Sequence, residues 1–421
     1  MTPDLVYFST MSTANLPLTA PPGGGLELEA QDVLAGVRRS IRGVLEQLRG
    51  PSARPRDLEQ ALGLHKTLAW RVLRVAYGRD PLADVQHIPG GEGIEKFLSA
   101  AEVAGVEKVR LVTVRESVAR FRALVDTHAG DRPSLEVMLR SMTDAPEPAA
   151  DLRATRRAAF RCASYTWGTQ TKARILSGIF TPCGGGLADV ATVRAHVAMR
   201  RVRREGQLGL SRTVESATDK PGPRSARVEA VEPEGLLGGV PLLRDCCTRP
   251  LPEVEAVPAA GNNIDYRFVD QRIGARGAVT AYTAEIRRGL PGCLKRDESN
   301  TMNALFLGVR RPIEMGIVDL WAPVGLFGTA RPRGLSACAM FADPAREPPT
   351  RWRPLPMAET AERLGRGLDA CPIAGAPEYS GAMERVFARL GWDPSAYELH
   401  RLCVEYPVMG TSLALVVDLP E

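Results

Sequence analysis

The sequence predicts an α+β protein, with an all-helical N-terminal domain followed by a larger mixed, β-rich domain containing a few helices. Three observations predict it. Apolar residues recur at three- and four-residue spacing through residues 31–145. Beyond residue 153 the pattern shifts to short, strand-length apolar runs. Between them, residues 143–151 (TDAPEPAAD) have the composition of a linker. At 421 residues the chain is long for one core, which independently favours two domains.

Residues 1–30 read as a disordered tail, because Pro, Gly, Ser and Thr dominate and little can be buried. The tail has neither a positive n-region nor a sustained apolar stretch, so no export signal is expected and the cytoplasm is the default location. From Asp32 to Arg49, Val37, Ile41, Val44, Leu45 and Leu48 line one helical face, and Gly50-Pro51 ends the helix. Residues 58–76 (LEQALGLHKTLAWRVLRVA) read as two short helices around Gly63. A polar loop follows Gly78. Further helices are expected over 94–104, around Val114, Val118, Phe121 and Val125, and over 134–142. The domain spans 31–145, with the linker at 146–152.

The second domain is expected over 153–421. Residues 153–181 read as helical, with Phe160, Trp167, Ile175, Leu176, Ile179 and Phe180 as core candidates and an interruption at Gly168. Strands are expected from about 190, then at 277–287, 304–310, 315–321, 335–342, 398–406 and 412–419. Residues 205–240 are rich in Pro, Gly and charge and read as a flexible excursion. Two amphipathic helices are expected among the strands. Met357, Ala361, Leu364 and Leu368 line one, and Met383, Val386, Phe387 and Leu390 the other. Irregular mixing of strands and helices argues against a doubly wound sheet.

Charge is uneven. Residues 38–79 hold ten Lys/Arg against three Asp/Glu, residues 80–145 eight against eleven, and residues 150–212 twelve against three. Of the basic residues only six are Lys. That skew, with abundant Ala, Gly and Pro, is the mark of a GC-rich bacterial genome and competes with function as the reason for every Arg cluster. The run Arg200-Arg201-Val202-Arg203-Arg204 is the densest; as a strand it would split its arginines between two faces.

Residues 58–76 have the parts of a helix-turn-helix. Leu58 and Leu62 anchor the first helix, Gly63 makes the turn, and Leu64 plugs the space between. Leu68, Val72 and Leu73 seat the second helix. Its outward face then carries Lys66, Thr67, Trp70, Arg71 and Arg74, residue types that reach phosphates or base edges in the major groove. Arg38, Arg39, Arg42, Arg54 and Arg56 are candidates for further backbone contacts. On Gly63, Leu64, Arg71 and Leu73, the segment resembles the helix-turn-helix of bacterial winged-helix regulators of the IclR type. Glu59, His65 and Ala69 depart from that pattern, and no β-hairpin wing follows Gly78. The resemblance implies a DNA-reading substructure in a transcriptional regulator, with double-stranded DNA and a second copy of the chain as partners. The alternative is an assembly protein in which these helices are scaffolding.

No residue pattern calls for a catalytic site, a cofactor or a metal. Eight cysteines form no C-x-x-C pair, and Cys246-Cys247 lacks metal-binding spacing. Five histidines form no metal-binding pair. Residues 87–97 place a Gly-rich turn before a helix without a P-loop Lys, and Gly184-Gly185-Gly186 reads as a turn. An enzyme with a dispersed site in the second domain is a third reading. No apolar stretch is long enough to span a membrane.

Overall fold

A computed structural model describes residues 6–7, 24–49, 54–142, 149–213, 228–259, 263–269, 272–296, 301–338 and 353–421. The chain divides into two compact units, Pro17–Glu147 and Met1–Leu16 together with Pro148–Glu421. The fold is α+β, a helical region followed by a strand-rich one.

The first unit contains helices α1 (Gly24–Arg49), α2 (Pro55–Leu62), α3 (Lys66–Tyr77), α4 (Gly91–Val103), α5 (Lys108–His128) and α6 (Arg132–Arg140). A 3-10 turn, Ala83–His87, joins α3 to α4. No strand occurs among the described residues of this unit. Val37, Ile41, Val44 and Leu45 of α1 share one core with Leu58 and Val72, with Ile94 and Phe97 of α4, and with Val114, Val118 and Phe121 of α5. Ser40 and Ser117 hydrogen-bond at 2.8 Å where α1 lies along α5.

The second unit holds β1 (Val6–Tyr7), α7 (Ala149–Trp167), β2 (Thr169–Gly184), β3 (Leu187–Arg201), β4 (Gly209–Thr213), β5 (Val228–Ala230), β6 (Leu236–Leu237) and β7 (Val240–Pro241). There follow β8 (Val254–Ala259), β9 (Asn263–Phe268), β10 (Val279–Leu290), β11 (Met302–Gly308), β12 (Ile313–Pro323), β13 (Arg333–Cys338), β14 (Glu362–Arg366), α8 (Glu378–Leu390), β15 (Tyr397–Glu405) and β16 (Thr411–Asp418). The largest sheet runs β14-β15-β12-β2-β3-β10-β5. All its pairings are antiparallel except β12 with β2. One face packs on α8 through Trp321, Tyr379, Met383, Phe387 and Leu399. The other face meets the sheet β1-β11-β16-β13 through Leu176, Phe180, Leu305, Leu307, Leu402, Leu413 and Leu415. A small sheet, β4-β9-β8, has its own core around Leu208, Leu210, Tyr266 and Phe268.

Asp319 is fully buried in the central strand β12. Arg401 donates two hydrogen bonds to its carboxylate at 2.8 Å, and the Tyr379 hydroxyl donates a third at 2.6 Å. Ser177 hydrogen-bonds the same hydroxyl at 2.6 Å. The bidentate pair satisfies a charge that would otherwise be prohibitively costly to bury. The pair joins β12 to β15, and Tyr379 and Ser177 extend the network to α8 and β2.

Several sequence expectations are corrected. Residues 24–30 begin α1 rather than extending the tail, and Val6 pairs with Leu305 of β11. Residues 1–5 and 8–23 lie outside the described residues, as do 146–148 of the linker; 149–152 are helical. The helix expected over 153–181 ends at Trp167. Gly168 turns the chain with φ 69° and β2 begins, so Ile175, Leu176, Ile179 and Phe180 are buried strand residues. Trp167 is 57% exposed and is not core. Residues 357–368 form no α-helix; β14 runs through them and a single 3-10 turn begins at Leu368. Met357 and Ala361 pack on the face toward β11 and β16, Leu364 and Leu368 on the face toward α8, and β14 lies at the sheet edge. Of the excursion at 205–240, residues 214–227 lie outside the described residues, and the remainder carries the short elements β4 to β7. The end of the 335–342 strand, from 339, is likewise outside them. Gly184, Gly185 and Gly186 all have positive φ and form the β2–β3 hairpin turn.

Candidate nucleic-acid interface

The candidate site is built on α2 and α3. Pro55 opens α2 with its fixed φ, and the Asp57 carboxylate accepts the Arg54 backbone N–H at 3.2 Å. The helix ends at Gly63, whose left-handed conformation (φ 60°, ψ 26°) is one a side chain would resist. Leu64 and His65 complete a three-residue turn. His65, one of the departures from the regulator pattern, caps α3: its Nδ1 accepts the Thr67 N–H at 3.3 Å. Ala69, another departure, is fully buried.

Leu58, Leu62, Val72 and Leu73 are buried, and Leu64 and Leu68 pack half-buried against the same core. This seat turns the opposite face of α3 outward. Lys66, Thr67, Trp70 and Arg71 are all exposed there. Lys66 and Arg71 have no ion-pair partner among the described residues. Twelve residues of helix make this face about 18 Å long.

Arg74 differs from the others. Its Nε donates to Asp84 Oδ1 at 2.8 Å, and the guanidinium remains only half exposed. Asp84 is buried in the 3-10 turn, with Arg38 as a second cation at 3.8 Å. Arg74, named with Lys66, Thr67, Trp70 and Arg71 for the outward face, thus also ties the turn to α3. Trp70 is 45% exposed but also rests edge-on against His87, ring centroids 4.9 Å apart. Burial lowers the His87 pKa below that of an ordinary imidazole. Arg74 and Arg71 add to the depression, while Asp84 opposes it.

The neighbouring arginines also divide. Arg38 donates to the Val75 carbonyl at 3.3 Å, and Arg42 to the Ala76 carbonyl at 3.0 Å and 3.2 Å. Both satisfy the last-turn carbonyls of α3, where cations are favoured by the helix dipole. Arg42 also stacks over Tyr77 at 5.1 Å. Both guanidinium groups are therefore engaged within the unit, whereas Arg39, Arg54 and Arg56 are exposed. Sequence reasoning passed over Asp84 and His87 because residues 79–93 read as a polar loop. The available signal was Asp84 in a short apolar-flanked stretch after a helix whose last turn carries Arg74.

Elsewhere, among the described residues, no group of His, Cys, Asp and Glu has the arrangement of a metal site. No helix among them is long and apolar enough to cross a membrane. Cys246 and Cys247 point into different cores, and burial pushes the Cys246 thiol up to about 11. His400 of β15 is half-buried, 3.3 Å from Glu398. No protein-family model matches the chain, and no curated protein matches it in sequence.

Proposed function

We propose that this protein binds double-stranded DNA through α3, as a transcriptional regulator whose strand-rich unit oligomerises or senses an effector. One observation carries the reading: Lys66, Thr67, Trp70 and Arg71 are exposed together on one face of α3, while Ala69, Val72, Leu73, Val75 and Ala76 bury the other. A rigidly seated helix with exposed cations and a hydroxyl can enter the major groove. There Lys66 and Arg71 would neutralise phosphates, or Arg71 pair with guanine. Arg74 acts by holding Asp84, which supports α3 from behind. The resemblance of residues 58–76 to winged-helix regulators supports the same role.

Scaffolding is the rival reading. The Arg74–Asp84 pair and the Trp70–His87 contact favour it, since they tie part of this face to the protein's own 3-10 turn. Photo-crosslinking separates the two. With p-benzoylphenylalanine at position 67, ultraviolet light should join the full chain to duplex DNA in an adduct that excess unlabelled duplex competes away. The absence of any adduct at low salt would favour scaffolding.

A further inference from the structure

We propose that the C-terminal end of α7 and the turn after β3 form a second nucleic-acid surface, one that takes single-stranded rather than duplex chains. α7 buries only a thin stripe, Arg156 and Ser164 with Leu152, Phe160 and Ala163 half-buried, and presents the rest of its circumference to solvent. Two large aromatic side chains stand out near its end: Tyr165 is 72% exposed and Trp167 57% exposed. Each would be expected to find cover in a surface with no partner, since rings of this size dominate burial energetics.

Cations surround them. Arg203 lies over the Tyr165 ring at 5.1 Å, and its Nη1 donates to the Tyr165 carbonyl at 3.2 Å. The turn carrying Arg203 and Arg204 is fixed against the helix end, because the Gly168 carbonyl accepts from Val202 N–H at 2.8 Å and Arg203 N–H at 3.3 Å. A side chain at Gly168 would meet Gly206 at 3.0 Å and Arg203 at 3.2 Å, so the close approach depends on glycine. Arg161, one turn before Tyr165, and Arg204 are both exposed with no ion-pair partner among the described residues. Arg157, a further turn back, lies over Tyr406 at 5.9 Å. Two acids lie near these groups: Glu205, paired with Arg203 at 3.4 Å, and Glu405, beside Tyr406 and paired with Arg153. Of the dense basic run, Arg200 instead pairs with Glu314 at 3.3 Å, and β3 ends at Arg201.

Exposed rings interleaved with cations fit a chain whose bases present free faces and whose backbone carries phosphates. In a duplex the base faces are occupied by one another, and Tyr165 and Trp167 would have nothing to stack on. That contrast assigns the surface to single strands.

The test is fluorescence anisotropy of a labelled oligothymidylate titrated with the full chain at low salt, with duplex DNA as competitor. Binding is expected, weakened at least about fivefold in a Tyr165→Ala/Trp167→Ala variant, the lower end of what base stacking contributes. Tyr165→Phe/Trp167→Phe should retain binding. Arg161→Glu, which leaves both rings in place, should weaken it, and Lys66→Ala/Arg71→Ala should not. Failure of the wild-type chain to bind, unchanged binding by the alanine or Arg161→Glu variant, or equal competition by duplex would overturn the proposal.

Discussion

Asp84 is the residue on which the α3 face depends. Its buried carboxylate holds Arg74 and faces Arg38, while the backbone of Gly78 passes so close that an added Cβ would fall 1.6 Å from Oδ2. Gly78→Ala should therefore destabilise the helical unit by about 1–3 kcal/mol through overpacking. Asp84→Ala should cost a comparable amount, about 1–3 kcal/mol, because Arg74 is half solvated and regains water. Chemical denaturation of each variant checks both values. His87 adds a pH dependence. Burial lowers its pKa, so the unfolded chain binds the proton more readily than the folded one. Its contribution is therefore present above the ordinary imidazole pKa and lost as pH falls below it. The stability difference between wild type and His87→Gln should shrink between pH 7.5 and pH 5.5, windows set by an ordinary value of about 6.5. A difference that grows on acidification would contradict this assignment.

Among the elements, those whose apolar spacing matched one buried face were legible in the sequence. The leucines of α2, the Gly63 turn and the seat of α3 stand where spacing placed them, as does α8 with Met383, Val386 and Phe387. The failures share a cause. β2 is buried on both faces, so Ile175, Leu176, Ile179 and Phe180 lose the alternation that marks a strand and mimic helical spacing. Met357, Ala361, Leu364 and Leu368 also have helical spacing, yet they serve two cores on opposite faces of one sheet. Gly365 and Gly367, both with positive φ, were the overlooked warning. In the site, side-chain exposure was legible, but the diversion of Arg38, Arg42 and Arg74 to internal partners was not. Charge patterning alone cannot distinguish an arginine that caps a helix from one left exposed to solvent. Within α8, Gly381 is exposed and an added Cβ meets nothing within 4 Å. Gly381→Ala should stabilise the strand-rich unit by about 0.5–1 kcal/mol, read as a raised midpoint of unfolding.

Over the whole molecule, the helical unit has one core of its own, and the strand-rich unit has separate cores on the faces of its sheets. Calorimetry should therefore resolve two transitions. Leu45→Ala, at a fully buried position of α1, should lower one of them by about 2–5 kcal/mol and leave the other in place. A single transition shifted as a whole would show that the cores unfold together. The division matters for function, because the duplex surface proposed on α3 and the single-strand surface proposed on α7 belong to different units. Variants on one should leave the other's binding intact.

The proposed duplex surface is the α3 face that carries Lys66 and Arg71. The most direct measurement is binding of the full chain to random-sequence duplex across a salt series, beside a Lys66→Ala/Arg71→Ala variant. Salt-sensitive binding is expected, with the variant weaker and its log–log salt slope shallower by about 2, one for each phosphate contact removed. Binding with the same strength and slope in both proteins, or no duplex binding even at low salt, would contradict the account.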